Sequence, residues 1–274
     1  MVAANRFHLL GMPVDPIIPK SLISIIANAI DTREQVTIAS INLHGLYCAL
    51  RDPEMSQLWK CSSTLVHIDG MPIVWAAKLL GENVTTESRM GHIDIMPIIF
   101  RYLAANGKRL MYVGSTEEAL NLGVAKIKNM EPSLQIAGYH GHFDLSDLEG
   151  EHQRSILKAV KEWKPDILLV GMGMPRQEKW IQRNKEALDV PVLMPCGGFL
   201  DLLAGSQPVV PRWIGRIGFE WAYRLACSPR RLFFRYCIEP FWLAAFAIMH
   251  IKMHDRSMAD TRASLGHQRH SSVL

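Results

Sequence analysis

DILLVGMGMPRQEKW, residues 166–180, joins an apolar run, a glycine turn and a helical pattern without a break. The run DILLV predicts a buried strand, and the spacing of RQEKWIQRNKEAL predicts a helix that starts directly after it. Gly171 and Gly173 allow close backbone approach, and Pro175 suits the first helical turn. The segment therefore predicts a strand–turn–helix unit whose free N–H groups face a ligand at the end of the strand.

The same alternation of strand and helix patterns recurs on both sides of this unit. The other strand-like runs are QVTIASIN (35–42), STLVHI (63–68), RLMYVGS (109–115), LQIAGY (134–139) and VPVLMPC (190–196). With 274 residues, 49% of them hydrophobic, the chain is long enough to bury a full-sized core. We therefore predict an α/β, Rossmann-like fold with a mostly parallel sheet and helices on both faces.

The composition changes after Asp201, where the strand–helix alternation stops and the chain becomes helical, aromatic and basic. Gly, Gln and two prolines near residues 205–211 predict a boundary there. We expect an α/β core over residues 1–205, a helical membrane-associating appendage over 206–254, and a disordered tail over 255–274, which is polar and lacks an apolar period.

The appendage combines arginines with aromatic residues, and Glu220 is the only acidic residue between positions 207 and 236. Such a segment suits an anionic membrane surface or a phosphate-bearing lipid, although a basic helix with solvated arginines remains an alternative. The run Phe241–Ile251 is too short to span a bilayer and is expected to lie in an interface or to form a buried helix. The net charge of +4 is modest, so a nucleic-acid partner is not expected.

Polar residues follow several predicted strands, where open α/β sheets bind ligands. Asp69 could be a general base at the cleft rim or merely a helix cap, and Ser40 and Asn42 place a hydroxyl and an amide at the same edge. Arg89 could neutralise a diphosphate leaving group or form a surface ion pair. Gly114 ends another strand at a possible phosphate-facing turn.

The glycine turn also carries Gln177 and Glu178, which fall in the first turn of the predicted helix. The turn is typical of an anion or nucleotide site, and its alternative is a tight turn with glycines for packing alone. It is neither a Walker loop nor a complete GxGxxG motif.

No metal or other cofactor is predicted from the sequence. His92, His140 and His142 lack the spacing of a zinc site, and no Asp-x-Asp motif is present for a nucleotide-sugar diphosphate. The five cysteines form no CxxC pair, which fits a reducing compartment, the cytoplasm.

Several motifs, in this order, resemble the WecG/TagA/CpsF family, which is glycosyltransferase family 26. They are SIN (40–42), IDGMPIVWAAKLLG (68–81), RMGHIDIMP (89–97), YVGS (112–115), GMGMPRQEKW (171–180), CGGFLDLLAG (196–205) and PRWIGRIGFEWAYRLACSPRRLFFRY (211–236). The resemblance runs from about Thr37 to Tyr236. Within the family, DGMPIVWAAKLLG looks closer to exopolysaccharide transferases of the xanthan glucosyltransferase type than to teichoic-acid enzymes.

The resemblance implies an inverting, metal-independent hexosyltransferase. It would move a glucose or N-acetylmannosamine type of sugar from a UDP-sugar to an undecaprenyl-diphosphate-linked saccharide. Asp69 matches the proposed general base, Arg89 the arginine near the diphosphate, and the GMGMPRQE turn the nucleotide-binding segment. Ser40 stands where many members have threonine.

The resemblance also gives the appendage a role as a membrane-docking lid whose arginines, Arg224, Arg231 and Arg235, reach the active site. Ser228-Pro229 predicts a helix start that would separate Arg224 from the other two. We expect a peripheral protein at the cytoplasmic face of the inner membrane, and a homo-oligomer is left open. Two other classes remain, a dinucleotide-dependent oxidoreductase, which lacks its full glycine motif, and a non-enzymatic membrane-binding module.

Overall fold

The computed structural model of the chain describes residues 5–141, 150–206, 210, 214 and 218–250. It divides into two compact units, Met1–Cys227 and Ser228–Leu274. The boundary predicted after residue 205 falls within the first unit, and the tail predicted over 255–274 lies outside the described residues.

The first unit contains a six-stranded sheet in which every strand pair is parallel. An antiparallel ribbon, β1 (Phe7–Leu9) and β2 (Met12–Val14), precedes it. The sheet strands are β3 (Val36–Ile41), β4 (Thr64–Ile68), β5 (Arg109–Gly114), β6 (Gln135–Tyr139), β7 (Ile167–Gly171) and β8 (Val192–Pro195), in the order β4-β3-β8-β7-β5-β6. The predicted parallel α/β sheet and its six strands are confirmed.

The helices of the first unit cover the sheet in two groups. One group comprises α1 (Pro19–Thr32), α5 (His92–Ala105), α6 (Glu117–Met130) and α9 (Phe199–Ala204), and the other α2 (Leu43–Arg51), α3 (Pro53–Lys60), α7 (Glu151–Trp163) and α8 (Arg176–Leu188). Two further helices, α4 (Met71–Leu79) and α10 (Glu220–Cys227), complete the unit as described, with a 3₁₀ turn at Thr86–Ser88. Strands β3, β4, β7 and β8 are buried along their whole length, which is why they read as unbroken apolar runs.

The N-terminal ribbon is fastened to the edge strand β4 by a buried ion pair. Asp15 accepts two hydrogen bonds of 2.8 Å from the Arg6 guanidinium and one of 2.7 Å from the backbone N–H of Val66. A buried carboxylate needs such partners to offset the loss of hydration. The contact therefore fixes the strand whose end carries Asp69.

The second unit contains one described helix, α11 (Pro229–His250), with a π-helical turn at Phe234–Ile238. Ser228 occupies its N-cap position and Pro229 its first turn, as the sequence predicts. By length and composition alone, this 22-residue helix is apolar enough to cross a membrane. The helix is therefore longer than the predicted apolar segment 241–251, because it continues back through Leu232 and the phenylalanines between the arginines.

Candidate active site

Asp69 directly follows β4 and is held there by Asn42, which follows the neighbouring strand β3. The Asn42 Nδ2 donates a 2.9 Å hydrogen bond to Oδ2 of Asp69, and its Oδ1 accepts one of 2.9 Å from Gly45, capping α2. The N-cap position of α4 is Gly70, and no side chain caps that helix. Asp69 is therefore not a helix cap. The hydrogen bond from Asn42 uses Oδ2 of Asp69 and does not involve Oδ1 of Asp69.

The loop that carries Arg89 is joined to the end of β4 by its backbone. The N–H of Met90 donates a 2.7 Å hydrogen bond to the carbonyl of Ile68, and Arg89 forms a parallel bridge with Ile68. A Cβ placed on Gly91 would lie 3.5 Å from Asp69 Oδ1 and 3.8 Å from Arg89 Nη2. Because Gly91 has no side chain, the space between the Asp69 carboxylate and the Arg89 guanidinium stays open.

The surroundings of Asp69 favour its charged form. Burial alone would raise the pKa of this carboxyl group, but His92, the Asn42 hydrogen bond, His67 and Arg89 together lower it below the usual value. Asp69 is therefore a carboxylate at neutral pH, the form that a general base requires.

Two histidines lie behind this carboxylate, and the sequence interpretation missed their contribution. Burial, followed by the charge of His92, lowers the pKa of His67 to about 4, and burial also lowers the pKa of His92. Their rings lie 6.0 Å apart, edge to face, and His92 hydrogen-bonds the carbonyl of Pro195. Burial thus favours the neutral form of both rings, and their positions beside Asp69 and Gly91 in the sequence are the signal that could have found them.

A chain of opposite charges continues from Arg89 to helix α10. Arg89 Nη1 lies 3.3 Å from Asp94 Oδ2, and Arg89 Nη2 lies 3.7 Å from Glu220 Oε2. The other oxygen of Glu220 lies 2.5 Å from Arg224 Nη2. The fold thus brings Arg224 of the predicted appendage next to Arg89 through one shared carboxylate.

The glycines at the ends of β5 and β7 are packed against each other. A Cβ on Gly114 would lie 2.2 Å from the carbonyl oxygen of Gly171, and one on Gly171 would lie 1.8 Å from the Tyr112 hydroxyl. Gly173 has a φ of +78° with open space around it. Gly114 and Gly171 are therefore required for packing, whereas Gly173 is required by its backbone conformation.

Gln177 and Glu178 lie in the first turn of α8, directly after Pro175, but their side chains are fully buried. Gln177 donates a 2.9 Å hydrogen bond to Glu178 and accepts one of 2.9 Å from the N–H of Gly197. Burial raises the pKa of Glu178 to about 7, against the opposing hydrogen bond from Gln177. In this structure Gln177 binds the backbone of the turn after β8 at Gly197, and Glu178 holds Gln177 in place.

The remaining predicted site residues lie within β3 and α11. Ser40 lies within β3 with its hydroxyl buried, so it does not reach the rim, and this oxygen has no hydrogen-bond partner within the described part of the chain. Arg231 and Arg235 belong to α11 of the second unit.

The described ranges, 5–141, 150–206, 210, 214 and 218–250, contain no group of three His, Cys, Asp or Glu side chains arranged to hold a metal ion. His140 packs against Tyr139 and His152, and His142 lies outside these ranges.

Comparison with known proteins gives the relatives of this chain. The N-acetylglucosaminyldiphosphoundecaprenol N-acetyl-beta-D-mannosaminyltransferase of Staphylococcus aureus strain NCTC 8325 / PS 47 is 28% identical over 164 residues, covering 60% of this chain and 61% of that protein. The protein of the same name from strain COL gives the same values, and that from strain MRSA252 is 27% identical over the same share of each chain. The chain thus matches less than two thirds of the length of these relatives.

The model of the Glycosyl transferase WecG/TagA/CpsF family matches residues 7–257, a range that contains all the strand-end motifs described above. The chain therefore belongs to the WecG/TagA/CpsF family of glycosyl transferases.

Proposed function

We propose that this protein is an inverting hexosyltransferase that moves a sugar from a UDP-sugar to an undecaprenyl-diphosphate-linked saccharide in surface polysaccharide synthesis. The observation that carries the proposal is the Asp69 carboxylate, oriented by Asn42 and facing Arg89 at the carboxyl edge of the sheet. Family membership and the names of the S. aureus relatives, which act on a diphosphoundecaprenol-linked sugar, support the choice of reaction.

Asp69 supplies the base in this mechanism. Asn42 holds Oδ2 of Asp69 by a hydrogen bond. Oδ1 of Asp69 accepts the proton of the acceptor hydroxyl while the hydroxyl oxygen attacks the anomeric carbon of the donor. The bond between that carbon and the UDP oxygen breaks on the opposite face, so the configuration inverts. His67 and His92 lie beside the carboxylate and contribute to its lowered pKa.

Arg89 and Arg224 supply the positive charge of the proposed diphosphate site. Charge-assisted hydrogen bonds from guanidinium groups to phosphate oxygens stabilise a diphosphate leaving group without a metal ion. The glycine turn Gly171–Pro175 is the proposed contact of the nucleotide, although the N–H groups of Gln177 and Lys179 already donate to the carbonyls of Gly173 and Pro175. In this proposal Arg231 and Arg235 of the second unit bind the lipid diphosphate or the membrane surface.

We propose that the protein works as a peripheral protein at the cytoplasmic face of the membrane. Helix α11 carries its charged residues in its first half, and the uncharged stretch from Pro240 to His250 is about 16 Å long as a helix. This length is about half of a hydrocarbon core of roughly 30 Å, which favours insertion into one leaflet over a full crossing.

The test is release of UDP from a panel of UDP-sugars with an undecaprenyl-diphosphate-sugar acceptor in vesicles, in the presence of EDTA. UDP-N-acetylmannosamine is the first donor because of the relatives' names, and UDP-glucose covers the xanthan-type interpretation. We expect turnover that requires the acceptor, survives EDTA and falls by about 10²-fold or more in Asp69→Asn. Equal rates for Asp69→Asn and the wild type would reject Asp69 as the base, and loss of turnover in EDTA would reject metal independence.

A further inference from the structure

Glu220 makes two contacts that resemble those of a bound anion. Its two carboxylate oxygens point to different arginines, Oε1 to Arg224 at 2.5 Å and Oε2 to Arg89 at 3.7 Å. Arg89 and Arg224 come from distant parts of the sequence, and this single carboxylate lies between them. A phosphate group joins two guanidinium groups in the same manner.

The two arginines have spare hydrogen-bonding capacity around this carboxylate. Among the described residues, the Nε of Arg224 is buried and has no hydrogen-bond partner, and a guanidinium offers five N–H donors. Arg89 has two further acidic neighbours, Asp94 at 3.3 Å from its Nη1 and Asp69 across Gly91. The pair could therefore bind an anion with more oxygens and more charge than one carboxylate.

Helix α10 is held near this site at its start. Gly218, with a φ of +84°, lies so close to α4 that a Cβ on it would be 2.8 Å from the Trp75 ring. The Glu220 side chain is only partly buried, with 34% of its surface exposed, so its carboxylate can turn toward water without disturbing this contact.

We propose that Glu220 competes with the diphosphate for Arg89 and Arg224. The Glu220 carboxylate occupies the space between the two arginines when no substrate is bound, and it returns there after transfer. This inference rests on the proposed function, which places a diphosphate on the same arginines. An incoming diphosphate displaces the carboxylate because it brings several negative charges and more acceptor oxygens. The returning carboxylate lowers the affinity for the released nucleotide diphosphate and so promotes product release.

The experiment measures binding of inorganic diphosphate, and then of UDP, to the full-length protein by calorimetry at low salt. Removal of the competitor in Glu220→Gln is expected to tighten binding of inorganic diphosphate by about three- to tenfold, the size of one or two partly exposed charged contacts. Glu220→Asp, which keeps the charge but shortens its reach, is expected to tighten binding as well. Glu162→Gln is the matched control, because it removes the same charge from the Lys158–Glu162 pair on α7.

The outcomes separate this inference from the proposed function. If Arg89→Gln and Arg224→Gln weaken diphosphate binding but neither Glu220 variant tightens it, the competitor is rejected and the diphosphate site stands. If Glu220→Gln weakens binding, Glu220 instead positions Arg224, which also overturns the inference. If neither arginine variant changes binding, or if neither the wild type nor Glu220→Gln binds diphosphate, the proposed diphosphate site itself is rejected.

Discussion

The Asn42 side chain donates a 2.9 Å hydrogen bond to Asp69 and accepts one of 2.9 Å from the N–H of Gly45, which caps α2. The hydrogen bond to Asp69 is one of the interactions that lower the pKa of that carboxyl group. Any change at position 42 therefore acts on the proposed base and on a helix end together.

We expect Asn42→Ala to raise the pKa of Asp69, because the charged form loses a donor. The acidic limb of kcat/KM against pH should move to higher pH, and lost capping should lower the free energy of unfolding by about 1 kcal/mol. Thr116→Ala is the control, because Thr116 caps α6 by accepting a 3.2 Å hydrogen bond from Ala119. This variant should lose similar stability and keep the pH profile. An unshifted profile in Asn42→Ala would contradict the role given to its amide.

Glu178 predicts a pH dependence of stability. Its pKa is raised by burial to about 7 in the folded protein, whereas a Glu in the unfolded chain titrates near 4.5. Between these two pH values the folded state binds the extra proton, so the free energy of unfolding falls as the pH rises from about 4.5 to about 7. The loss is on the order of 3 kcal/mol and is complete above the folded pKa.

We therefore expect Glu178→Gln to be more stable than the wild type at pH 8.5 and about equal to it at pH 4.5, because the amide mimics the protonated acid. Urea denaturation at these two pH values measures the difference. The exposed Glu186 on the same helix gives the control Glu186→Gln, which should leave the pH dependence unchanged. Parallel stability curves for Glu178→Gln and the wild type would show that Glu178 is not protonated in the folded state.

The packed glycines predict an order of mutational effects. Gly171→Ala places a methyl group 1.8 Å from the Tyr112 hydroxyl and 2.8 Å from the Gly197 carbonyl, so the backbone must move. We expect a loss of about 3 kcal/mol or more, or failure to fold. Gly173→Ala meets no neighbour within 4 Å and should cost only about 1 kcal/mol for its positive φ. Urea midpoints would test the order, and equal costs would contradict the close packing.

Helix α11 predicts how the protein binds vesicles. Phe241, with 76% of its surface exposed, lies in the uncharged half of the helix, and Phe241→Glu should reduce sedimentation with anionic vesicles several-fold. Leu122→Glu introduces the same charge at an exposed apolar position of α6 and should have little effect. Truncation after Tyr236 should also weaken binding, and unchanged binding would reject this role of the segment.

Extraction at high pH separates the two modes of membrane association. A peripheral protein should be released from bacterial membranes by alkaline carbonate, because an uncharged stretch of about 16 Å does not span the bilayer. Retention of the wild type in the membrane pellet would instead support a full crossing by Pro229–His250.

Much of the fold could be predicted from the sequence because most of its sheet strands are buried. Parallel strands covered on both faces read as short apolar runs, and each of the six predicted runs forms one strand. The ribbon of β1 and β2 was missed because strands of three residues carry too little pattern. The length of α11 was underestimated because charged residues interrupt the apolar run but not the helix.

The candidate site was predictable only where the sheet topology determines it. Asp69 and Asn42 follow adjacent parallel strands, whose carboxyl ends meet at one edge. The direction of a side chain could not be predicted in this way. Gln177 and Glu178 turn inward toward Gly197, and Ser40 stays buried within β3. The Arg89–Glu220 contact joins segments far apart in sequence, and no local pattern encodes it.

The backbone hydrogen bond from Met90 to Ile68 has a consequence for how this enzyme family can diversify. The distance between the proposed base and Arg89 depends on main-chain atoms, so it is insulated from exchanges of the side chains around it. The neighbouring helix α4 has exposed side chains, such as Leu79, that do not take part in this backbone contact. Surface residues of α4 could therefore be replaced while the reacting centre keeps its dimensions.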